Sequence, residues 1–234
     1  MTELVDGNRL SLLESGREYF PALEEACEGA QREIHLETYM FEDDAAGQRI
    51  ARALARAARR GVAVHVLVDG FGSKGLDRSA MERLQSGGVK LLVYRPDISP
   101  WTAQRQRLRR MHRKLAVIDG CIAFVGGINV IDDMHTPGHT PPRFDYAVRI
   151  EGPLLEPIHA AVKRLWTVVL LTQLGGGWPE GEGPAPVVAP CGHQPEGGDE
   201  TCEGRRQGEV ARGGTGAGHR YSWERRHPDR ATGS

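Results

Sequence analysis

Along residues 1–174 the apolar positions follow two periods in turn, one helical and one strand-like, and the alternation predicts an ordered series of elements. Residues 17–31 carry Tyr19, Phe20, Leu23 and Cys27 at helical spacing, with Pro21 expected in the first turn, where its missing N–H is tolerated. Residues 33–41, EIHLETYMF, read as a strand with Ile34, Leu36 and Met40 on one face. Asp43 and Asp44 can cap the next helix, whose buried stripe is Ile50, Leu54 and Ala57 or Ala58, and Gly61 stops it. Residues 62–68 form a nearly continuous apolar run before Asp69 and Gly70, the pattern of a strand buried on both faces. A helix over 76–85 ends at Gly87 and Gly88, and residues 90–94 give a further strand. Residues 115–118, 122–125 and 144–150 add three more, and a helix over 154–174 presents Leu155, Ile158, Val162, Leu165 and Val169 to a core. Successive βα units predict an α/β fold with a mixed, mostly parallel sheet flanked by helices.

Composition changes at Gly175. The last 60 residues hold 15 of the 30 Gly and 6 of the 14 Pro, and from Val, Ile, Leu, Met and Phe only Val187, Val188 and Val210. Burial cannot offset the ordering entropy of such a segment. The expected organisation is therefore a lobe over 1–174 and a disordered, low-complexity tail over 175–234. The tail has Arg but no Lys, and its Gly and Pro form no repeat, so it also reads as an out-of-frame product after a body that ends mid-architecture.

Charge narrows the partners. Thirty Lys and Arg against 31 Asp and Glu leave a net charge of -1, so no global field draws the chain onto nucleic acid or membrane, and anion binding must be local. The four cysteines are too far apart for a paired zinc site and too few for a secreted scaffold, which makes a reduced cytoplasmic chain the expectation. The N-terminus mixes acids with Arg where an export signal needs a basic start and an apolar run. The longest aliphatic stretch, near 165–171, falls short of the roughly 20 residues that span a bilayer, so a soluble or peripheral protein is expected.

The densest chemistry lies in residues 111–130, MHRKLAVIDGCIAFVGGINV. His112 and Lys114 are two apart, so on extended backbone both side chains point to one side. Asp119 ends one apolar strand, and Gly126, Gly127 and Asn129 follow the next; a hairpin brings Asn129 back beside His112 and Lys114. An imidazole, an ammonium and an amide, converging where two glycines let backbone approach, suit a phosphoryl oxyanion. Lys supplies a point charge, Asn and backbone amides donate, and His acts as nucleophile or acid.

At these residues the sequence resembles the phospholipase D superfamily, whose signature is H-x-K, four residues, D, six residues, G-G or G-S, x, N. His112, Lys114, Asp119, Gly126, Gly127 and Asn129 fit every fixed position. The resemblance runs from about residue 8 to 174. The segments ETYMFEDD, VLVDGFGS and RFDYAVRIEGP are similar to those of the bacterial cardiolipin synthases of that superfamily. The resemblance implies a phosphohistidine mechanism with no metal, nucleotide or other cofactor. It also implies catalytic roles for His112 and Lys114, with Asp119 orienting them, and substrate binding by Asn129, Gly126 and Gly127. Glu37, near a strand end, is a further substrate-binding candidate, while Asp69 reads as a turn residue. His35 and His65, inside apolar strands, read as face or core histidines.

Trp101, Arg105, Arg107, Arg109, Arg110, Arg113 and Lys114 form a basic cluster just upstream, and it reads as a dock for an anionic lipid headgroup, with Arg110 among the substrate-binding candidates. The expected partner is phosphatidylglycerol at a peripheral membrane surface, on the cytoplasmic side. Proteins of this type carry the motif twice and form the site between two halves, yet no other His of this chain is followed by Lys two positions later. The expectation is the N-terminal half of a phosphatidyltransferase that converts phosphatidylglycerol to cardiolipin. Two alternatives stand beside it: a homodimer of single-motif chains acting on phosphodiesters, nucleic acid included, and an inactive remnant that binds anionic lipid.

Overall fold

The computed structural model describes residues 5–96, 110–135 and 140–175. The proposed tail, apart from Gly175, and the basic cluster members Trp101, Arg105, Arg107 and Arg109 lie outside them. The elements are β1 (Arg9–Glu14), α1 (Ser15–Glu28), β2 (Glu33–Thr38), α2 (Ala45–Arg59), β3 (Ala63–Asp69) and α3 (Arg78–Ser86). They continue with β4 (Lys90–Tyr94), β5 (Lys114–Ile118), β6 (Ile122–Gly126), β7 (Tyr146–Glu151) and α4 (Leu155–Gln173).

One seven-stranded sheet runs in the order β1-β7-β6-β5-β2-β3-β4. The mixed α/β class agrees with the sequence pattern, but the balance of strand directions does not. Only β2–β3 and β3–β4 are parallel; β1–β7, β7–β6, β6–β5 and β5–β2 are antiparallel. Parallel pairing needs a crossover, which α2 and α3 supply, whereas β5 and β6 are joined by a tight hairpin that reverses the chain.

Residue alternation sorts the two faces of the sheet. Ile34, Leu36, Val64, Val66, Val68, Ala116 and Ile118 pack beneath α1, α2 and α3 with Leu23, Ile50 and Leu54. Leu115, Val117, Ala123 and Ile150 meet Leu155 and Val162 of α4 on the opposite face, and Leu67 and Tyr94 meet Leu165 and Val169. The predicted caps form: the Asp44 carboxylate accepts from Gly47 N at 2.9 Å, and Gly61, at φ +94°, ends the α2 turn where a Cβ is strained.

Two local expectations are corrected. Helix α1 starts at Ser15 rather than near residue 17, so Pro21 stands inside it and forgoes one backbone bond, a loss the burial of Tyr19, Phe20, Leu23 and Cys27 outweighs. Strand β1 was not indicated by the pattern at all. It is an edge strand whose Leu10 and Leu12 are exposed, and its partner β7 is more than 130 residues away in sequence.

Candidate active site

The C-terminal ends of the parallel strands β2 and β3, the N-terminal end of β5 and the outgoing end of β6 lie along one edge of the sheet, where open α/β sheets bind ligands. Thr38 of β2 pairs with Lys114 of β5, and the antiparallel register that sets Leu115 against Val125 carries Lys114 toward Gly126. The H-x-K spacing then does what a two-residue repeat dictates. His112 Nε2 lies 2.9 Å from Lys114 Nζ, and the Tyr39 ring backs both groups, 4.9 Å from the imidazole centroid and 5.2 Å from the ammonium. His112 is exposed and Lys114 nearly buried. Burial pulls the Lys114 pKa down, and the Asp145 carboxylate partly restores it. The two nitrogens lie within hydrogen-bond distance at the exposed edge, an imidazole and an amine side by side where an anion could be held.

Asn129 is held from the backbone. Its Oδ1 accepts from Met40 N at 3.0 Å, while the Thr38 hydroxyl donates to Met40 O at 2.8 Å, so the amide Nδ2 is the end left for another acceptor. A bridge between Phe41 and Val130 fastens the same two segments.

The approach to His112 is fixed by Asp69. As a turn residue it accepts from Phe71 N and Gly72 N through Oδ1, at 2.9 and 3.0 Å. Its Oδ2 also reaches Met111 N at 2.8 Å, a buried bond that positions the residue before His112. Arg110 lays its guanidinium over the Phe71 ring at 4.5 Å, with Nη1 buried and unpartnered.

Other sequence candidates fall elsewhere. Glu37 sits at this edge but on the α4 face, 3% exposed, paired at 3.1 Å with Arg113 between His112 and Lys114; it supports the segment rather than facing the His112 side. Asp119 is not beside His112. It closes the far end of β5, about 16 Å along the strand direction from Lys114. There its carboxylate accepts from Gln31 N, Arg32 N and Glu33 N at 2.9, 2.8 and 3.0 Å. The glycines serve packing of their own: a Cβ at Gly126 falls 2.3 Å from Tyr146 O, and one at Gly127 falls 2.1 Å from Asp145 Oδ1. Asp145 is the residue the sequence reasoning missed. Only the room left by Gly127 on the facing hairpin could have signalled it.

Burial pushes the Glu37 carboxyl up to about 7, with the Arg113 charge opposing. In the unfolded chain it titrates near 4.5, so between these values the folded state binds more protons than the unfolded state. Stability should therefore fall as pH rises from about 4.5 to about 7, and Glu37→Gln should flatten that slope. Urea midpoints for both proteins at four pH values would check this; parallel curves would remove the assignment.

An H-x-K pair at the edge of such a sheet, with Asn on the returning hairpin, belongs to the phospholipase D class of lobes. The fold agrees. The structure of Nuc, a phospholipase D family member from Salmonella typhimurium, superposes with TM-score 0.51 at 18% identity, covering 69% of this chain and 95% of that one. NucT from Helicobacter pylori gives TM-score 0.53 at 20% identity, covering 70% and 97%. Within that class, the chain belongs to the family described as cardiolipin synthase, PLD-like domain, which matches residues 23–166. Cardiolipin synthase B of Escherichia coli (strain K12) is 42% identical over 154 residues, 65% of this chain and 37% of that protein. Cardiolipin synthase 1 of Bacillus anthracis is 31% identical over 162 residues, 69% of this chain and 32% of that protein. The chain thus spans about a third of the length of these relatives. No helix among the described residues is long and apolar enough to cross a membrane.

Proposed function

We propose that His112, Lys114 and Asn129 form one half of a phosphatidyltransferase site of the cardiolipin synthase type. The observation that carries this reading is the 2.9 Å approach of Lys114 Nζ to His112 Nε2 at the exposed sheet edge. His112 Nε2 attacks the phosphorus of one phosphatidylglycerol, the bond from phosphorus to the glycerol oxygen breaks, and glycerol leaves with a proton from an acid. The hydroxyl of a second phosphatidylglycerol then attacks the phosphohistidine, yields cardiolipin and returns its proton to that group. Lys114 and the Asn129 amide stabilise the phosphoryl oxygens as charge builds on them. Arg110 and the basic cluster hold the anionic headgroup, and so hold the lobe against the cytoplasmic membrane surface.

Two imidazoles are needed, because the attacker must be neutral while the acid is protonated. The second comes from another H-x-K lobe. Leu10, Leu12, Val125, Phe144 and Tyr146 leave apolar surface exposed on β1, β6, β7 and the segment before β7, and a second lobe seated on this surface would cover it. Purified alone, this chain should sediment as a monomer without detectable phosphatidyl transfer and gain transfer when a second H-x-K lobe is supplied. A stable dimer that cleaves phosphodiesters by itself would instead favour the homodimeric phosphodiesterase.

Because Lys114 and Asn129 provide the charge and donors that other phosphodiesterases take from a cation, EDTA should leave transfer by the completed enzyme unchanged. Loss in EDTA with recovery on adding Mg²⁺ or Zn²⁺ would overturn the mechanism.

A further inference from the structure

At the other end of β2 from Thr38, on the α4 face, three imidazoles gather around one carboxylate. His35 stacks on His65 with centroids 4.7 Å apart and planes 13° apart, and meets His159 of α4 edge-on at 5.8 Å. Glu33, two residues before His35 and therefore on the same face, has Oε2 3.2 Å from His35 Nε2. Its Oε1 lies 2.9 Å from His159 Nε2 and 3.0 Å from Lys163 Nζ. The transfer chemistry uses none of these groups, and a strand's length separates them from His112.

We propose that Glu33, His35 and His159 form a binding site for a borderline divalent transition-metal ion, Zn²⁺ in the first instance, which ties α4 to the start of β2. The donor set is two imidazole nitrogens and one carboxylate, a set that suits Zn²⁺ and disfavours Mg²⁺ or Ca²⁺. One ligand atom from each residue lies within 4.8 Å of the others. Tetrahedral Zn²⁺ with bonds near 2.0–2.2 Å sets its ligand atoms about 3.4 Å apart, so the longest pair closes by roughly 1.4 Å. His159, on a helix and partly exposed, can supply that movement.

His159 Nε2 is a buried nitrogen only 2.9 Å from Glu33 Oε1, so an imidazole nitrogen and a carboxylate oxygen of the cluster already lie side by side away from water.

Lys163 is the competitor. Its half-exposed ammonium neutralises Glu33 when no metal is bound and swings to solvent when one is. A metal site and an ion-pair network therefore respond oppositely to its removal: Lys163→Met strips a partner from the network but frees the carboxylate for a cation.

The test is titration of the untagged, full-length chain with Zn²⁺ in competition with a chromophoric chelator, with circular dichroism to establish that each variant is folded. Wild type should take up one Zn²⁺ per chain that the His35→Ala/His159→Ala double variant does not. His159→Ala alone should weaken that site at least about tenfold. Lys163→Met should tighten it. Equal uptake by wild type and the double variant, or no tightening in Lys163→Met, would overturn the proposal. Neither readout depends on transfer activity.

Discussion

Replacing His112 by alanine should abolish phosphodiester chemistry at this site while leaving the lobe folded. The side chain is exposed, and the ring contacts described are to Tyr39 and to the Lys114 ammonium, so its removal opens no core cavity. On the proposed mechanism His112 is the nucleophile, so its loss removes the covalent intermediate and turnover should fall by roughly a thousandfold or more. The measurement is twofold: transfer by the completed enzyme on phosphatidylglycerol vesicles, and mass spectrometry of the acid-quenched protein for a phosphatidyl adduct on the peptide holding His112. Wild type should show the adduct and His112→Ala should not. Turnover of the variant at the wild-type rate would remove His112 from the mechanism.

The largest stability effect among single polar substitutions is expected at Asp119. Its carboxylate is the acceptor for three successive backbone N–H groups, those of Gln31, Arg32 and Glu33, as the chain leaves α1 and enters β2. Alanine leaves all three without that acceptor. It also occupies a left-handed backbone position, φ 54°, which Asp tolerates better. Hydrogen bonds to a charged acceptor contribute about 1.5–3 kcal/mol each, but water reaches this loop and replaces part of that, so Asp119→Ala should cost about 2–4 kcal/mol. Asp119→Asn, which keeps an acceptor and tolerates the same backbone, should cost less. Urea denaturation measures both. Because the residue is a strand's length from His112, transfer per folded molecule should be retained in Asp119→Ala. A variant of wild-type stability with lost activity would restore the orienting role that the motif suggests.

Sequence alone carried far on the local scale. The α2 stripe of Ile50, Leu54 and Ala57, the Asp44 cap and the Gly61 stop are encoded within a few residues of where they act, so periodicity and capping chemistry reveal them. The meeting of His112 and Lys114 is of the same kind, because two residues apart on extended chain is one side of a strand whatever the rest of the fold does.

Contacts between distant segments were not legible. Strand β1 carries exposed leucines and forms only because β7 lies open beside it. Asp119 shares a motif with His112, yet five residues of straight strand carry it to the other end of the sheet, where it serves the α1–β2 connection. The Asp69 link to Met111, the Asp145 carboxylate in the space left by Gly127, and the convergence of Glu33 and His35 with His159 each join residues brought together only by the assembled sheet and α4. Local periodicity decides which side of an element a residue occupies, because that depends only on backbone repeat; which residue faces it depends on strand order and register, and these are set by the packing of the whole lobe.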